Sequence, residues 1–263
     1  MTERSGTQSL ERGIALLRDV ASRNREGPKL VDLISSTGLD RSTAHRLLKC
    51  LVAEQMLMQT EDDKRYHLGP LSFYLGLMGS EQGDLRDTAA SLLTAIADET
   101  GDTVFLMVRV GVEAICADRR AGHYPIKTFV VDVGTRRPLG IGAGGMAILS
   151  TLSDTEMDAA MDANTDRIAR FPGFTDESIR KTVAVTRRHG YSMMDVPVVT
   201  GVRAIGYPIC LSGGPAIAAF SIAAIAPRIT SQRSSFLVKV LQSASTELVK
   251  RLAPTHQGSR IPL

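Results

Sequence analysis

The chain has 263 residues, of which 43% are apolar and 22% are charged, and its net charge at pH 7 is +3. This composition excludes a disordered chain and predicts a sizeable buried core in one large domain or two smaller ones. The mild basic excess permits a polyanionic partner without requiring one.

The cysteines and the terminal sequence indicate the compartment. Cys50, Cys116 and Cys210 are far apart and lie in apolar segments, which predicts reduced, packed thiols rather than a disulfide framework. The N-terminal residues lack the apolar core of a signal peptide, and the apolar run Pro215–Pro227 is too short to span a bilayer as a helix. We therefore expect a soluble, cytoplasmic protein that has no membrane partner.

The first 40 residues predict two helices and a tight turn. The second helix covers Leu30–Thr37, and Gly38 suits the left-handed residue that ends it, with Leu39 filling the corner. The first helix starts at Ser9, and its apolar residues form one predicted stripe: Leu10, Ile14, Leu17 and Val20.

The stretch Asp40–Glu54 predicts a third helix with two unlike faces. Asp40 is a natural N-cap, and the apolar face consists of Ala44, Leu47, Leu48, Leu51 and Val52. The other face carries hydrogen-bond donors at Arg41, Ser42, Thr43, His45, Arg46 and Lys49. Such a helix suits insertion into a DNA major groove, although an isolated helix of this kind more often presents an ordinary solvated face. The preceding helix and turn favour a DNA-binding helix-turn-helix.

A β-hairpin is predicted directly after this helix. Met58, Tyr66 and Leu68 mark its two strands, and the polar segment Glu61–Arg65 joins them, as in the wing of a winged helix. Lys64 and Arg65 at the tip could reach phosphates or a minor groove. The neighbouring acidic residues favour the alternative of a solvated hairpin.

Three segments follow from this pattern: a winged helix-turn-helix DNA-binding domain (1–70), a linker (71–83) and a larger C-terminal domain (84–263). The linker contains a helix, Leu71–Met78, that is too apolar all round to lie exposed, so we expect it to pack against a partner subunit. A single winged helix reads few base pairs, and useful specificity therefore predicts a homodimer or a larger homo-oligomer.

Helices and strands alternate irregularly in the C-terminal segment, which predicts an α+β fold rather than repeated βαβ units. Strands are predicted at Thr103–Val110, Ala114–Asp118, Ile126–Val131, Tyr191–Met194, Val202–Cys210 and Ala216–Ala226. Helices are predicted at Leu85–Thr100, Met146–Leu152, Thr155–Met161, Asp176–Arg188 and Ser231–Leu252.

The glycine-rich stretch Gly140–Gly145 matches the G-x-G-x-x-G pattern of dinucleotide sites. The polar, proline-broken segment before it is a poor strand for such a site, so a nucleotide-dependent enzyme remains only an alternative. Glycines also permit close packing of a helix on a strand. A third interpretation is a loop that lets a small anion approach the backbone N–H groups at the start of the Met146 helix.

Catalytic and metal sites find little support in the sequence. The five histidines show no metal-ligand spacing, and there is no G-x-S-x-G nucleophile motif. We therefore expect neither an enzyme nor a metal or other cofactor.

Several motifs together resemble the IclR family of bacterial transcription regulators, in order and over nearly the whole chain. In the N-terminal part they are Ser9-Leu-Glu-Arg-Gly-Ile-Ala-Leu-Leu17, Gly38-Leu-Asp-Arg-Ser-Thr-Ala-His-Arg-Leu-Leu48 and Arg65-Tyr-His-Leu-Gly69. Downstream they are Glu99-Thr-Gly-Asp-Thr-Val104, Arg136-Arg-Pro-Leu139, Arg188-His-Gly-Tyr191 and Gly201-Val-Arg-Ala-Ile-Gly-Tyr-Pro-Ile209. The resemblance implies a winged helix joined by a linker helix to a GAF-like effector-binding domain, in a dimer or tetramer that binds double-stranded DNA.

The resemblance also implies an effector pocket, and the matching positions are Ala143, Gly144, Met194, Val202, Ala204 and Ser221. Gly142 and Gly145 from the glycine stretch and Asp195, the single charge of its strand, complete the predicted site. Gly140 and Met146 stand where the family commonly has His and Lys, which predicts a less polar pocket. The glycine loop at a helix N-terminus favours an anion, and Met194, Val202 and Ala204 favour apolar contacts, so we expect a small, partly apolar organic acid as effector. Asp195 would oppose such an anion if it pointed inward, so we expect it to face either solvent or donor groups such as a hydroxyl of the ligand.

Overall fold

The computed structural model describes residues 7–24, 26–72, 75, 83–196, 199–211 and 213–252. The chain divides into two compact units, Met1–Gly83 and Asp84–Leu263. Within the described ranges, no helix combines the length and the apolar content that a membrane crossing requires.

The N-terminal unit is a helix-turn-helix with a two-stranded wing, as the sequence predicts. Its helices are α1 (Gln8–Ser22), α2 (Leu30–Thr37) and α3 (Arg41–Ala53). Strands β1 (Leu57–Gln59) and β2 (Tyr66–Leu68) pair antiparallel. Of the predicted linker helix, only Leu71, Ser72 and Leu75 lie among the described residues, and all three are helical.

The turn between α2 and α3 has the predicted chemistry. Gly38 adopts a left-handed φ of 67°, and its N–H donates to the Ile34 carbonyl over 2.9 Å, which ends α2. Asp40 then caps α3, because its carboxylate accepts from the Thr43 N–H at 2.9 Å and from the Ser42 hydroxyl at 2.6 Å. These hydrogen bonds, the one from Ser42 first, hold the pKa of Asp40 far below its ordinary value.

The predicted apolar stripe of α1 is only partly correct. Leu16 and Val20 are fully buried, but Leu10 is 63% exposed and Ile14 is 40% exposed. The buried face runs through Gly13, Leu16 and Val20, so Leu10 and Ile14 lie to one side of it. The buried residues of this small core are Leu16, Val20, Leu33, Leu48, Leu57 and Tyr66.

The C-terminal unit is built on one six-stranded antiparallel sheet with the order β5-β4-β3-β8-β7-β6. The strands are β3 (Thr103–Val110), β4 (Glu113–Ala121), β5 (Arg136–Pro138), β6 (Ser192–Asp195), β7 (Val202–Cys210) and β8 (Ala216–Ile225). The helices are α4 (Gly83–Thr100), α5 (Gly142–Leu149), α6 (Asp154–Asp162), α7 (Thr165–Ile168), α8 (Asp176–His189) and α9 (Ser231–Leu252). A short 3-10 helix, Ala226–Arg228, precedes α9.

Alternation along the strands places a separate core on each face of this sheet. Val104 and Leu106 pack in one core with residues of α4 and α9. Phe105 and Met107 pack in the other core with α5, α6 and α8. The result is a three-layer α+β unit whose glycine-rich helix lies against the second face.

Two segments of this unit differ from the sequence prediction. Ile126–Val131 is not a strand: the Thr128 N–H donates to the Thr103 hydroxyl at 3.2 Å, and β5 occupies the edge of β4 instead. The helix predicted from Met146 begins at Gly142, four residues earlier. Glycines have low helix propensity, but Gly144 and Gly145 are buried against neighbouring elements, and sequence periodicity does not show such contacts.

Glu113 of β4 links its own strand to β5 and to α7 through two ion pairs. Its nearly buried carboxylate forms ion pairs with Arg136 of β5 and with Arg167 of α7, the latter at 2.5 Å. Burial alone would raise the pKa of Glu113, but the hydrogen bonds from the two arginines outweigh it and hold the pKa below its ordinary value of 4.5.

This pKa shift predicts an acid-sensitive contribution to stability. Because the pKa is depressed in the folded state, Glu113 stabilises the fold above pH 4.5, and the contribution disappears as the pH falls through the lower folded-state value. We expect Glu113→Gln to lower the urea midpoint clearly at neutral pH and progressively less as the pH falls below 4.5. An equal loss at neutral and at acidic pH would contradict this role of the carboxylate.

Candidate nucleic-acid interface and ligand cavity

A groove of about 730 Å³ separates α2 and α3 from the wing in the N-terminal unit. Its polar lining residues are Lys29, Arg41, Ser42, His45, Gln59, Lys64 and Tyr66, and its apolar ones are Leu30 and Val31. The groove therefore gathers cations and hydrogen-bond donors from three separate elements on one surface.

Helix α3 is anchored by one face and presents the other. Ala44 and Leu48 are fully buried, which fixes the rotation of the helix. The predicted contact residues Arg41, Ser42, His45, Arg46 and Lys49 are exposed, and Thr43 is half-buried. Arg41, Ser42 and His45 line the groove, whereas Arg46 and Lys49 lie outside it on the same helix.

The two basic residues of the wing differ in position. Lys64 lines the groove in a left-handed conformation, with φ of 57°. Arg65 does not stand free at the tip, because its Nη1 donates to the Gly27 carbonyl at 2.6 Å and its Nε contacts Asp63 at 2.8 Å. The Arg65 guanidinium thus fastens the wing to the turn before α2.

Three polar residues of this groove were not predicted as contact residues from the sequence: Lys29, Gln59 and Tyr66. Lys29 immediately precedes α2, and Gln59 donates from its side-chain amide to the Lys64 carbonyl at 3.1 Å. A basic residue at the start of the first helix of a helix-turn-helix was the available signal for Lys29. That Gln59 lines the groove could not be predicted before the register of β1 and β2 was known.

The C-terminal unit contains a small cavity of about 40 Å³ beside α5. Six of the predicted effector residues line it: Gly142, Ala143, Gly144, Gly145, Ala204 and Ser221. The lining residues that the sequence did not predict are Phe105, Met107, Val130, Val131, Arg137, Ile141, Val196 and Ala223. The wall is mostly apolar, and Arg137 is its one charged residue.

Three predicted effector residues do not line this cavity. Met194 is half-buried and packs against the core, and Val202 is buried beside it. Asp195 faces solvent, as its isolated charge suggested, and forms an ion pair with Arg203 at 2.7 Å. Alternation along β6 turns Asp195 away from the core face to which Met194 belongs.

The glycines of α5 permit its close approach to the sheet. A Cβ on Gly144 would lie 2.5 Å from Met107 Cγ and 3.5 Å from the Ser221 hydroxyl oxygen. The Ser192 hydroxyl donates to the Ala143 carbonyl at 2.6 Å. Because the sheet formed by the described strands is antiparallel throughout, it lacks the βαβ unit that a dinucleotide site requires.

Arg137 extends from edge strand β5 towards the cavity. Its Nη2 donates to the Val130 carbonyl at 2.8 Å, and its guanidinium carbon lies 5.8 Å from the centre of the Phe171 ring. Burial lowers the pKa of Arg137, since the charged form is removed from water. The side chain nevertheless stays cationic, because arginine begins from so high a pKa.

Comparison with known proteins identifies the family. A family model described as the C-terminal domain of the bacterial transcriptional regulator IclR matches residues 80–249, and the model of the IclR helix-turn-helix domain matches residues 9–61. The chain belongs to the IclR family. The relatives that match this chain over most of its length are transcriptional regulators or repressors, so this chain is a DNA-binding transcription regulator and not an enzyme.

Individual IclR relatives are similar over most of their length. The regulator XynR of Escherichia coli K12 is 26% identical over 251 residues, which cover 93% of this chain and 97% of XynR. The repressor AllR of Salmonella paratyphi A is 28% identical over 235 residues, 88% of this chain and 85% of AllR. The crystal structure of an IclR homolog complexed with 4-hydroxybenzoate, from Microbacterium hydrocarbonoxydans, has a TM-score of 0.72 at 22% identity and covers 93% of this chain and 98% of its own.

Proposed function

We propose that this regulator binds a specific DNA sequence through residues 1–70 and senses a small organic acid through residues 84–263, with residues 71–83 as the link. The observation that carries the DNA-binding half is the placement of the N-terminal half of α3 in a groove with the wing. The observation that carries the sensing half is the apolar cavity that contains a single cationic side chain.

The DNA contacts follow from the exposed donors of α3 and the wing. Arg41, Ser42, Thr43 and Arg46 contact bases or phosphates, because the N-terminal half of a recognition helix faces the base edges of the major groove. His45 adds a contact to a phosphate or a base. Lys49 and Lys64 contact phosphates, and Lys64 takes this role without Arg65, whose guanidinium is bound to the Gly27 carbonyl.

The acidic character of the effector is supported by the charge and the backbone of the cavity. Arg137 supplies a cation, and the first turn of α5, which has no side-chain cap, lines the same cavity. The first N–H groups of a helix have no partner within it and favour an anion. The apolar remainder favours a ligand with some hydrocarbon. The 4-hydroxybenzoate of the Microbacterium homologue is one small acid of this kind.

The regulator acts as a homodimer or a larger homo-oligomer in this proposal. One winged helix contacts too few base pairs for useful specificity, and two-fold symmetry doubles the site. Leu75, in the apolar stretch between the two units, is 49% exposed and is therefore free to contact a partner chain. Effector binding changes DNA affinity only if the acid binds one geometry of the oligomer better than the other.

Filling the cavity is the direct test of sensing. Ala204→Val adds two methyl groups inside a space of about 40 Å³, in a strand that accepts valine. We expect this variant to bind its own promoter region as the wild type does, while losing every response to a panel of aliphatic and aromatic acids. Gel shifts with and without each acid, together with thermal-shift titrations, measure the two properties separately.

Gly144→Val serves as a second variant with a stability cost. The added side chain would collide with Met107, and such overpacking typically costs about 1–3 kcal/mol. It should be equally unresponsive to acids if it folds. A normal response in both variants would place the effector elsewhere and remove this cavity from the proposal.

A further inference from the structure

Arg137 differs from the other partly buried arginines of the C-terminal unit. Each of those contacts an Asp or Glu carboxylate: Arg109, Arg119, Arg120, Arg136, Arg167, Arg180, Arg203, Arg228 and Arg233. Within the described part of the chain, Arg137 has no acidic partner. A cation removed from water without a counter-ion is costly to a fold, so its presence calls for a functional reason.

The immediate neighbours of the Arg137 guanidinium neutralise none of its charge. The Val130 carbonyl accepts one hydrogen bond, and the Phe171 ring offers its face from 5.8 Å. The thiolate form of Cys116 would interact electrostatically with Arg137. Burial, however, raises the pKa of this thiol to about 12, so Cys116 is neutral at physiological pH and offers no counter-charge. The nearby Glu113 is already bound by Arg136 and Arg167.

We propose that Arg137 is the residue that recognises the carboxylate of the effector. This inference rests on the proposed sensing function. It assigns the selectivity of the cavity for acids over neutral ligands to one side chain. The planar guanidinium can donate two parallel hydrogen bonds to a carboxylate, which fixes the orientation of an acid as well as its charge. Gly142 leaves this approach open, since even a Cβ there would stay 3.8 Å from Arg137 Nη1.

Binding of an acid at Arg137 also requires the wall formed by Val130 and Val131 to move. A space of about 40 Å³ holds roughly one water molecule, so an acid of several heavy atoms must move its surroundings. Val130 and Val131 belong to an irregular segment between β4 and β5 that forms no strand pairs. When the carboxylate replaces the Val130 carbonyl on Arg137, this segment loses one of the hydrogen bonds that hold it, while Arg119 still donates to the Val131 carbonyl at 3.0 Å.

Matched acids and amides test the assignment on the full-length protein. The probes are acetate, propionate, benzoate and 4-hydroxybenzoate, each paired with its neutral amide, in calorimetric or thermal-shift titrations. We expect the wild type to prefer at least one acid over its amide by about 10- to 100-fold, the range of a charge-assisted hydrogen bond. Arg137→Gln should remove this preference and leave amide affinity unchanged, and Arg137→Lys should restore part of it.

Two further measurements separate recognition from a structural role. Arg188 is an exposed arginine of the same unit, and Arg188→Gln should leave the acid preference intact. Without any probe, Arg137→Gln should unfold at the same temperature as the wild type or at a higher one, because a partly buried charge without a counter-ion has been removed. A clearly lower unfolding temperature would instead indicate that Arg137 serves the fold.

The inference is overturned if Arg137→Gln keeps the acid preference, or if the wild type shows none with any of the four pairs. The proposed function fails in a different way. If neutral metabolites change promoter affinity in the wild type, sensing stands and the assignment of Arg137 is wrong. If no metabolite of either kind changes promoter affinity, sensing itself is refuted.

Discussion

Arg41→Ala combined with Arg46→Ala should reduce the affinity for the specific DNA site by about 30- to 25,000-fold, since each good base contact contributes roughly 1–3 kcal/mol. Both side chains are exposed on α3 and have no hydrogen-bond or ion-pair partner among the described residues. Alanine also favours the helix. The loss should therefore appear in DNA binding and leave the stability of the protein unchanged.

Arg18→Ala is the matched control for this double variant. Arg18 is an exposed arginine of α1 in the same unit, and it does not line the groove. Gel-shift titrations over a range of salt concentrations should show wild-type affinity for the control and a flatter salt dependence for the double variant. Wild-type DNA affinity in the double variant would remove α3 from the interface.

Asp102→Asn should cause the largest loss of stability in the C-terminal unit. The Asp102 side chain is 1% exposed and contacts Arg228 Nε at 2.8 Å and Arg233 Nη1 at 2.7 Å. The contact between Arg233 Nη1 and Asp102 Oδ2 is an ion pair without a hydrogen bond, because no N–H group is well aligned with this oxygen. Breaking a buried pair by removing one partner leaves uncompensated charge and costs about 3–5 kcal/mol.

Asp195→Asn provides the comparison for that loss. Asp195 also pairs with an arginine, but its side chain is 71% exposed, and surface pairs of this kind contribute about 0–1 kcal/mol. The chain contains no tryptophan, so unfolding is followed by calorimetry or far-UV circular dichroism. Equal unfolding temperatures for the two variants would show that the ion pairs of Asp102 with Arg228 and Arg233 do not stabilise the fold.

Elements with a local signal were predictable from the sequence. The limits of α2, β3, β7 and α9 agree with the prediction, because periodicity and end signals are strong there. Gly38 and Gly101 both adopt the left-handed conformation expected where a helix ends. The wing was recognisable for the same reason, since alternating residues flank a polar turn.

Features that depend on distant contacts could not be predicted in this way. The early start of α5 depends on Gly144 lying against Met107, which no local pattern reveals. Ile126–Val131 has the composition of a strand, but β5 takes the edge where it would pair. Arg137 appeared only as part of a family motif, and its lack of an acidic partner is visible only in three dimensions.

Specific binding to its own promoter is the decisive measurement for this regulator. The full-length protein is titrated against the DNA upstream of its own coding region and against a shuffled duplex of equal length and composition, at several salt concentrations. We expect at least about 1,000-fold tighter binding to the natural sequence. Footprinting should show two half-sites separated by one or more helical turns. Equal affinity for both duplexes at every salt concentration would contradict sequence-specific DNA recognition by this protein.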